Sequence, residues 1–215
     1  MAQVPTGTTF YIGSAYGAAK NTTVVTNASE AVVTSASHGY SNGDVVEVTS
    51  GWGRLNLRSF RIKSVTTDTF VLEGADTSST TFFPSGSGIG SVRKVSTFTQ
   101  IQQVLGIDSS GGDPKNVNYK YFESDVEYSI NDGFAAQNMT LQLDSDSIST
   151  AGYTALKSLT DVQTNTCLKI SSRNGAVIYM PCTVALNEAV QMQDGQINRV
   201  AAAFNGIGRL VRYAS

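Results

Sequence analysis

Residues 167–182 read CLKISSRNGAVIYMPC. Asn174-Gly175 stands between two alternating runs. Asn-Gly is the strongest short-range hairpin signal, because a two-residue type I′ turn needs positive φ at both central positions. With Asn174 and Gly175 in that turn, Arg173 opposes Ala176, Ile170 opposes Tyr179 and Cys167 opposes Cys182. One face of the expected hairpin then carries Leu168, Ile170, Val177 and Tyr179. The other carries Lys169, Ser171, Arg173, Ile178 and Met180. Apolar side chains lie on both faces, so neither is a plain solvent face.

The facing cysteines leave two readings open. A hydrogen-bonded cross-strand pair holds its Cα atoms about 5.5 Å apart, within disulfide reach. In a reducing cytosol both stay thiols and act as small, semi-buried side chains. The second reading is favoured.

The chain has 215 residues, enough for one large or two small domains. Charged residues make up 15%, below the roughly 25% of ordinary globular chains, while Gly, Ser, Thr and Val are abundant. This composition points to a mainly β protein. A formal net charge of −2 gives no field that would draw the chain onto duplex DNA. No apolar run is long enough to cross a bilayer. The start, MAQVPTGTTF, lacks the basic and apolar regions of a signal peptide. Together these point to a protein made and used in the cytoplasm.

Turn signals every ten residues or so divide the first hundred residues into short strands. TTFYIGSAY (8–16) is one strand, and the Thr/Val run 22–35 makes one or two more. Val45, Val46 and Val48 mark another, followed by Phe60, Ile62 and Val65, then Phe70, Val71 and Leu72. In SVRKVSTFTQIQQVLG the apolar positions Val92, Val95, Phe98, Ile101 and Val104 are spaced by three, which leaves a helix open, but a long strand with room for a bulge is favoured, since Val/Thr content is high and no cap precedes it. GIDSSGGDPKNVN (106–118) reads as a loop, and NMTLQLD alternates cleanly. Residues 147–162 carry Ile148, Ala151, Ala155, Leu156, Leu159 and Val162, a helical stripe. Its N-cap is expected among Asp144, Ser145, Asp146 and Ser147, and Asn165 near its C-cap. TVALNEAVQ and RVAAAFNGIGRLVRY follow the hairpin as closing strands.

Catalytic chemistry finds no foothold. His38 is the only histidine, with no nucleophile elbow to partner it, and SHGYSNGD reads as a turn. Zinc-ligand spacing and a phosphate loop are both missing. The acidic stretch FESDVE, as a strand, would place Glu123, Asp125 and Glu127 on one side, with Asp108 and Asp113 upstream. Calcium-loop spacing is absent, so the set reads as a solvated acidic loop. No catalytic, cofactor or metal site is expected. Trp52, between glycines, either caps a small barrel or marks a sugar or protein contact.

The order from Gln137 to the end is an alternating strand, one amphipathic helix, an Asn-Gly hairpin and two long strands. Carried by NMTLQLD, TAGYTALKSL, LKISSRNGAVIYMP and RVAAAFNGIGRLVRY, it resembles the major tail tube protein of long, non-contractile-tailed bacteriophages. TTFYIGSAYG resembles that family's first strand and SVRKVSTFTQI its second. The stretch 106–134 resembles its long, often acidic loop between the second and third strands. The resemblance implies a β-sandwich or barrel flanked by one α-helix. It also implies six-membered rings that stack into a hollow tube conducting the genome into the host cell.

The expected partners are further copies of the chain, tail-tip and tail-terminator proteins, and a tape measure protein and DNA within the lumen. No membrane insertion is expected. The site would be the virion tail, assembled in the host cytoplasm. Asp108, Asp113, Glu123, Asp125 and Glu127 would then belong to an inter-ring loop whose charge also repels passing DNA. Lys169, Ser171, Arg173, Ile178 and Met180 would face a ring neighbour or the lumen.

The resemblance covers 1–20 and 91–215. Residues 21–90 fall where a plain member has a short loop, so they are expected as an inserted small β domain on the outer surface, with Gly17–Lys20 and Ser85–Gly90 as linkers. Their pattern also resembles a small barrel beside the catalytic cysteine of ubiquitin-activating enzymes. The segment holds no cysteine, so no activity follows. The alternative reading of the whole chain is a tail-tip or adhesin-type β module that grips a host glycan or protein.

Overall fold

Side chains that are β-branched or aromatic suit a pleated, half-buried surface, and the strands of the chain draw on them. The computed structural model describes residues 5–214. In chain order the strands are β1 (Thr9–Tyr16), β2 (Lys20–Thr22), β3 (Val24–Val25), β4 (Val32–Thr34), β5 (Val45–Ser50), β6 (Arg58–Lys63), β7 (Thr69–Leu72), β8 (Gly90–Ile101), β9 (Val104–Ser110), β10 (Pro114–Tyr119), β11 (Tyr128–Phe134) and β12 (Asn138–Asp144). After a 3₁₀ turn (Ser145–Ser149) and helix α1 (Ala151–Val162) come β13 (Thr166–Ser171), β14 (Val177–Gln191), β15 (Arg199–Gly206) and β16 (Val211–Tyr213).

One large, curled antiparallel sheet takes the order β3-β4-β7-β6-β5-β8-β1-β13-β14-β15-β12-β9, with β2 beside β8 and β16 beside β14; β10 and β11 form a separate hairpin. The fold is mainly β and sandwich- or barrel-like, as expected. β8 joins its two parts. Its first half pairs with β5, Gly90 opposite Ser50 and Lys94 opposite Val46. Its second half pairs with β1, Val95 opposite Tyr16 and Ile101 opposite Phe10.

The larger core lies between the sheet and α1. Phe10, Ile12, Ile101, Leu141, Leu168, Met180 and Phe204 meet Tyr153 and Leu156 of the helix. Thr150, not one of residues 144–147, is the N-cap of α1, and its side chain accepts from the Tyr153 N–H. Asp144 instead caps the 3₁₀ turn, accepting from the Asp146 N–H. That tighter turn takes Ile148 out of the helical stripe. Ile148 is consequently exposed, at 62%; Val162, the last residue of α1, is 59% exposed, and Tyr153, absent from the expected stripe, is buried instead. The C-cap is Gln163 in left-handed conformation, two residues before Asn165.

A second core gathers Val33, Val46, Val48, Trp52, Phe60, Ile62, Phe70 and Leu72 with Val92 of β8. Trp52 is 1% exposed. Its Nε1–H donates to the Pro84 carbonyl at 2.7 Å and Phe83 meets it edge-on, so the indole is a core residue. His38 is also buried; its Nδ1 accepts from the Tyr40 N–H and its ring lies against Phe70.

Residues 21–90 are bonded to the rest of the sheet along a full ladder. Lys20, expected in a linker, opens β2, and Gly90, expected to close one, opens β8. Between the cores lies a third cluster: Val45, Val95, Cys167, Tyr179 and Tyr213. The Tyr213 hydroxyl accepts from the Arg61 N–H at 3.1 Å and donates to the Glu73 carbonyl at 3.0 Å. Arg61 and Glu73 are themselves paired at 2.6 Å. Glu47, nearly buried, takes a two-pronged contact from Arg93, which also donates to the Asn165 carbonyl.

The hairpin of residues 167–182 differs from expectation by one position. Ile170 faces Ile178, Lys169 faces Tyr179, Cys167 faces Pro181 and Cys182 faces Thr166. Gly175 has φ 86 and Asn174 is not in the positive region, so the turn is not type I′. The Ser172 N–H donates to the Ala176 carbonyl, closing a three-residue loop with glycine at the left-handed position. A one-residue slip exchanges the faces. Ile178 and Met180 therefore join Leu168 and Ile170 toward the helix, Met180 being fully buried. The cysteines point to opposite faces and remain free thiols.

The second arm of the hairpin and TVALNEAVQ are one 15-residue strand, β14. Pro181 is tolerated inside it because the neighbour changes there. β16 pairs up to Tyr179, and β15 takes over at Cys182.

Two substitutions test this packing. Gly152 of α1 lies so close to β8 that an added Cβ would strike the Gln100 carbonyl and come within 2.8 Å of the Ile101 Cα. Alanine normally favours a helix over glycine by about 1 kcal/mol. Gly152→Ala is expected to destabilise instead, by roughly 1–3 kcal/mol in a denaturant melt. Tyr213→Phe removes both hydroxyl bonds and is expected to cost about 1–3 kcal/mol in the same measurement.

Candidate assembly surface

At one end of the sheet β9 pairs with β12 and, among the described residues, with nothing on its other side. An open strand edge is a template for another chain. Leu105 and Ile107 stand exposed along it. Beyond β9 the chain pivots on Gly111 and Gly112, at φ 78 and 80. A Cβ at Gly111 would strike the Ala136 carbonyl.

The pivot launches an arm, the β10–β11 hairpin. Pro114 faces Phe134 at its base and Tyr119 faces Tyr128 toward its tip. Tyr119, Tyr121 and Tyr128 form an aromatic cluster with centroids 5.4–5.9 Å apart. Val117, Val126, Ile130 and Phe134 are all more than half exposed, and Phe122 at the tip is completely so. A two-stranded hairpin is marginal in water. One that also uncovers this much apolar surface is suited to burial against a partner.

The arm corrects the expectation of a loop at 106–118, which holds most of β9 and β10. FESDVE is not a strand either; it is the bend at the arm's tip. Glu123, Asp125 and Glu127 thus leave from a turn rather than lining one strand face. Asp108 lies on β9 and Asp113 just before β10, all five exposed. None of the five is in an ion pair among the described residues.

The second predicted set is divided. Lys169 is half-buried over the rings of Tyr11 and Phe98, each 5.3 Å away. Ser171 shares its face, and Arg173 is exposed in the turn beside Gly7. Ile178 and Met180 lie on the opposite face, as the register requires.

Sequence reading missed two features. The first is the aromatic face of Tyr11, Phe98, Tyr179 and Tyr213 behind the sheet. The alternation of Phe10 and Ile12 with Tyr11 carried its signal. The second is a cleft of about 450 Å³ at the base of the arm, bordered by Lys115, Phe134, Gln137, Gly206, Gly208 and Arg209. The Arg209 guanidinium lies over the Phe134 ring at 4.9 Å. Residues 69–94 positions apart build this cleft, and no local pattern announces it.

No group of three or more His, Cys, Asp or Glu side chains close enough to hold a metal ion occurs among the described residues. Burial pushes the Cys167 thiol up to about 12 and Cys182 up as well. Glu47 is raised by burial, with Arg93 pulling the other way, and Glu188 is lowered by Lys157 and Tyr153. These groups have structural partners, and no cleft gathers them for chemistry.

The fold is thus a curled antiparallel sheet with one α-helix, an open edge and an apolar arm. The family model for phage tail tube protein, TTP, matches residues 50–215, and the chain belongs to that family. It is a structural component of a phage tail tube, a role that does not call for catalysis. The match begins at the last residue of β5, inside the segment 21–90. Curated proteins give no significant match.

The exposed tip supplies a direct check on the arm. In the free protein, chymotrypsin is expected to cut first after Tyr121 or Phe122, giving two fragments in the mass spectrum of an early time point.

Proposed function

We propose that the chain is the repeating subunit of a hexameric ring, and that rings stack into a hollow tube conducting the phage genome into the host cell. The observation that carries this reading is the β9 edge continued by an arm whose apolar side chains have no cover of their own. Ring closure bonds the free edge of each subunit to the next and so removes it. The arm then crosses to the adjacent ring. The carboxylates of β9 and the arm, Asp108, Asp113, Glu123, Asp125 and Glu127, belong to that inter-ring contact.

Lys169, Ser171 and Arg173 face a ring neighbour or the lumen in this reading; Ile178 and Met180 serve the subunit's own core. Residues 21–90 decorate the outer surface. The low net charge of −2 keeps the wall from holding DNA phosphates tightly. The tube is assembled in the host cytoplasm from a tail-tip complex, around a tape measure protein, and closed by a terminator. Its place is the virion tail.

Negative-stain micrographs of the purified protein, concentrated alone or mixed with tail-tip complex, test the proposal. Rings of six and hollow tubes are expected. A species that stays a monomer or trimer under every condition overturns it and favours a tail-tip or adhesin-type module that binds a host glycan or protein.

A further inference from the structure

The arm's two ends have opposite character. At the tip, fully exposed Phe122 stands beside Tyr121 and the carboxylates Glu123, Asp125 and Glu127, with Lys120 the one cation. The tip is therefore an aromatic knob set in negative charge. At the base, the cleft combines the Phe134 ring with two cations, Lys115 and Arg209, and with backbone at Gly206 and Gly208. Asp113 and Asp132 lie toward the same end but do not border the cleft. An apolar floor with cations at its rim matches what the tip presents.

A chain's own tip does not enter its own cleft. β10 is six residues long and paired with β11 throughout, so the ladder itself holds the ends apart. At about 3.3 Å per residue the tip stands roughly 20 Å from the base. Knob and cleft also lie on different surfaces, so a contact between them is heterologous. A bonded pair of copies still offers one free knob and one free cleft, and such a contact propagates rather than closing on itself as a two-fold pair does.

We propose that the tip of one copy's arm, Phe122 with Glu123 and Glu127, docks in the Lys115–Phe134–Arg209 cleft of a second copy. The inference rests on the tube reading and names the receptor for its arm. Phe122 enters beside Phe134, and the flanking carboxylates meet Lys115 and Arg209. Each contact buries a ring that is otherwise in water and pairs charges that have no ion-pair partner among the described residues.

A charge exchange between two variants tests this. One variant carries Glu123→Lys and Glu127→Lys; the other carries Lys115→Glu and Arg209→Glu. All four positions are exposed or rim the cleft, so melting temperatures are expected to stay within a few degrees of the unaltered chain. Each variant alone is expected to raise the critical concentration for polymerisation tenfold or more, read by sedimentation and electron microscopy. An equimolar mixture is expected to recover polymer, because the basic tip of one variant fits the acidic cleft of the other.

Phe122→Ala, at a residue without intramolecular contacts to lose, is expected to weaken polymerisation with folding unchanged. Variants that polymerise like the parent chain overturn the proposal, and so does a mixture no better than its components. Failure of the parent chain itself to polymerise removes the tube reading and this inference with it.

Discussion

Strand β8 is the constraint on which the rest of the structure depends. Twelve residues serve two cores, because hydrogen bonds to β5 end at Lys94 and those to β1 begin at Val95. Its side chains change duty along the strand. Val92 belongs to the smaller core and Ile101 to the larger, while Val95 enters the cluster between them. The angle between the two parts of the sheet is thereby set by backbone bonds rather than by a tether.

Polar side chains reinforce the same joint. Arg93, on β8, compensates Glu47, whose carboxyl burial holds above its ordinary value. A raised carboxyl favours the folded chain most when protonated. Its contribution is full below the ordinary carboxylate range and lost as pH rises through the raised value. Glu73, held low chiefly by Arg61, runs the opposite way, contributing above that range and losing its effect in acid. A buried pair of the Glu47–Arg93 kind adds little net stability but strongly penalises arrangements that separate it. It specifies the joint more than it strengthens it.

What was legible in the sequence follows from this architecture. NMTLQLD alternates because β12 buries one face only, and its even residues are half-covered while Met139, Leu141 and Leu143 are buried. The helix was legible from its stripe. The hairpin's existence was plain, yet its register was not, since Asn-Gly serves both a two-residue turn and a three-residue loop closed by glycine. That single position decided which of Tyr179 and Met180 faces the helix-side core. The arm was hidden for a different reason. Gly111, Gly112 and Pro114 punctuate like a loop, and KNVN has no apolar alternation because neither of its faces is buried within the chain. The acidic residues were found by type, but their placement at a bend, and the cleft assembled from β10, β11 and the segment after β15, depend on contacts distant in sequence.

The back-to-back cysteines of β13 and β14 bear on durability. Burial pushes the Cys167 thiol well above its ordinary value, so at neutral pH it stays a neutral thiol, and the thiolate is the form that oxidants attack. Neither sulfur can reach the other, since each points away through the sheet, and none is on the surface to link particles to one another. Burial on opposite faces of the sheet thus shields both thiols from oxidation and from cross-linking between particles.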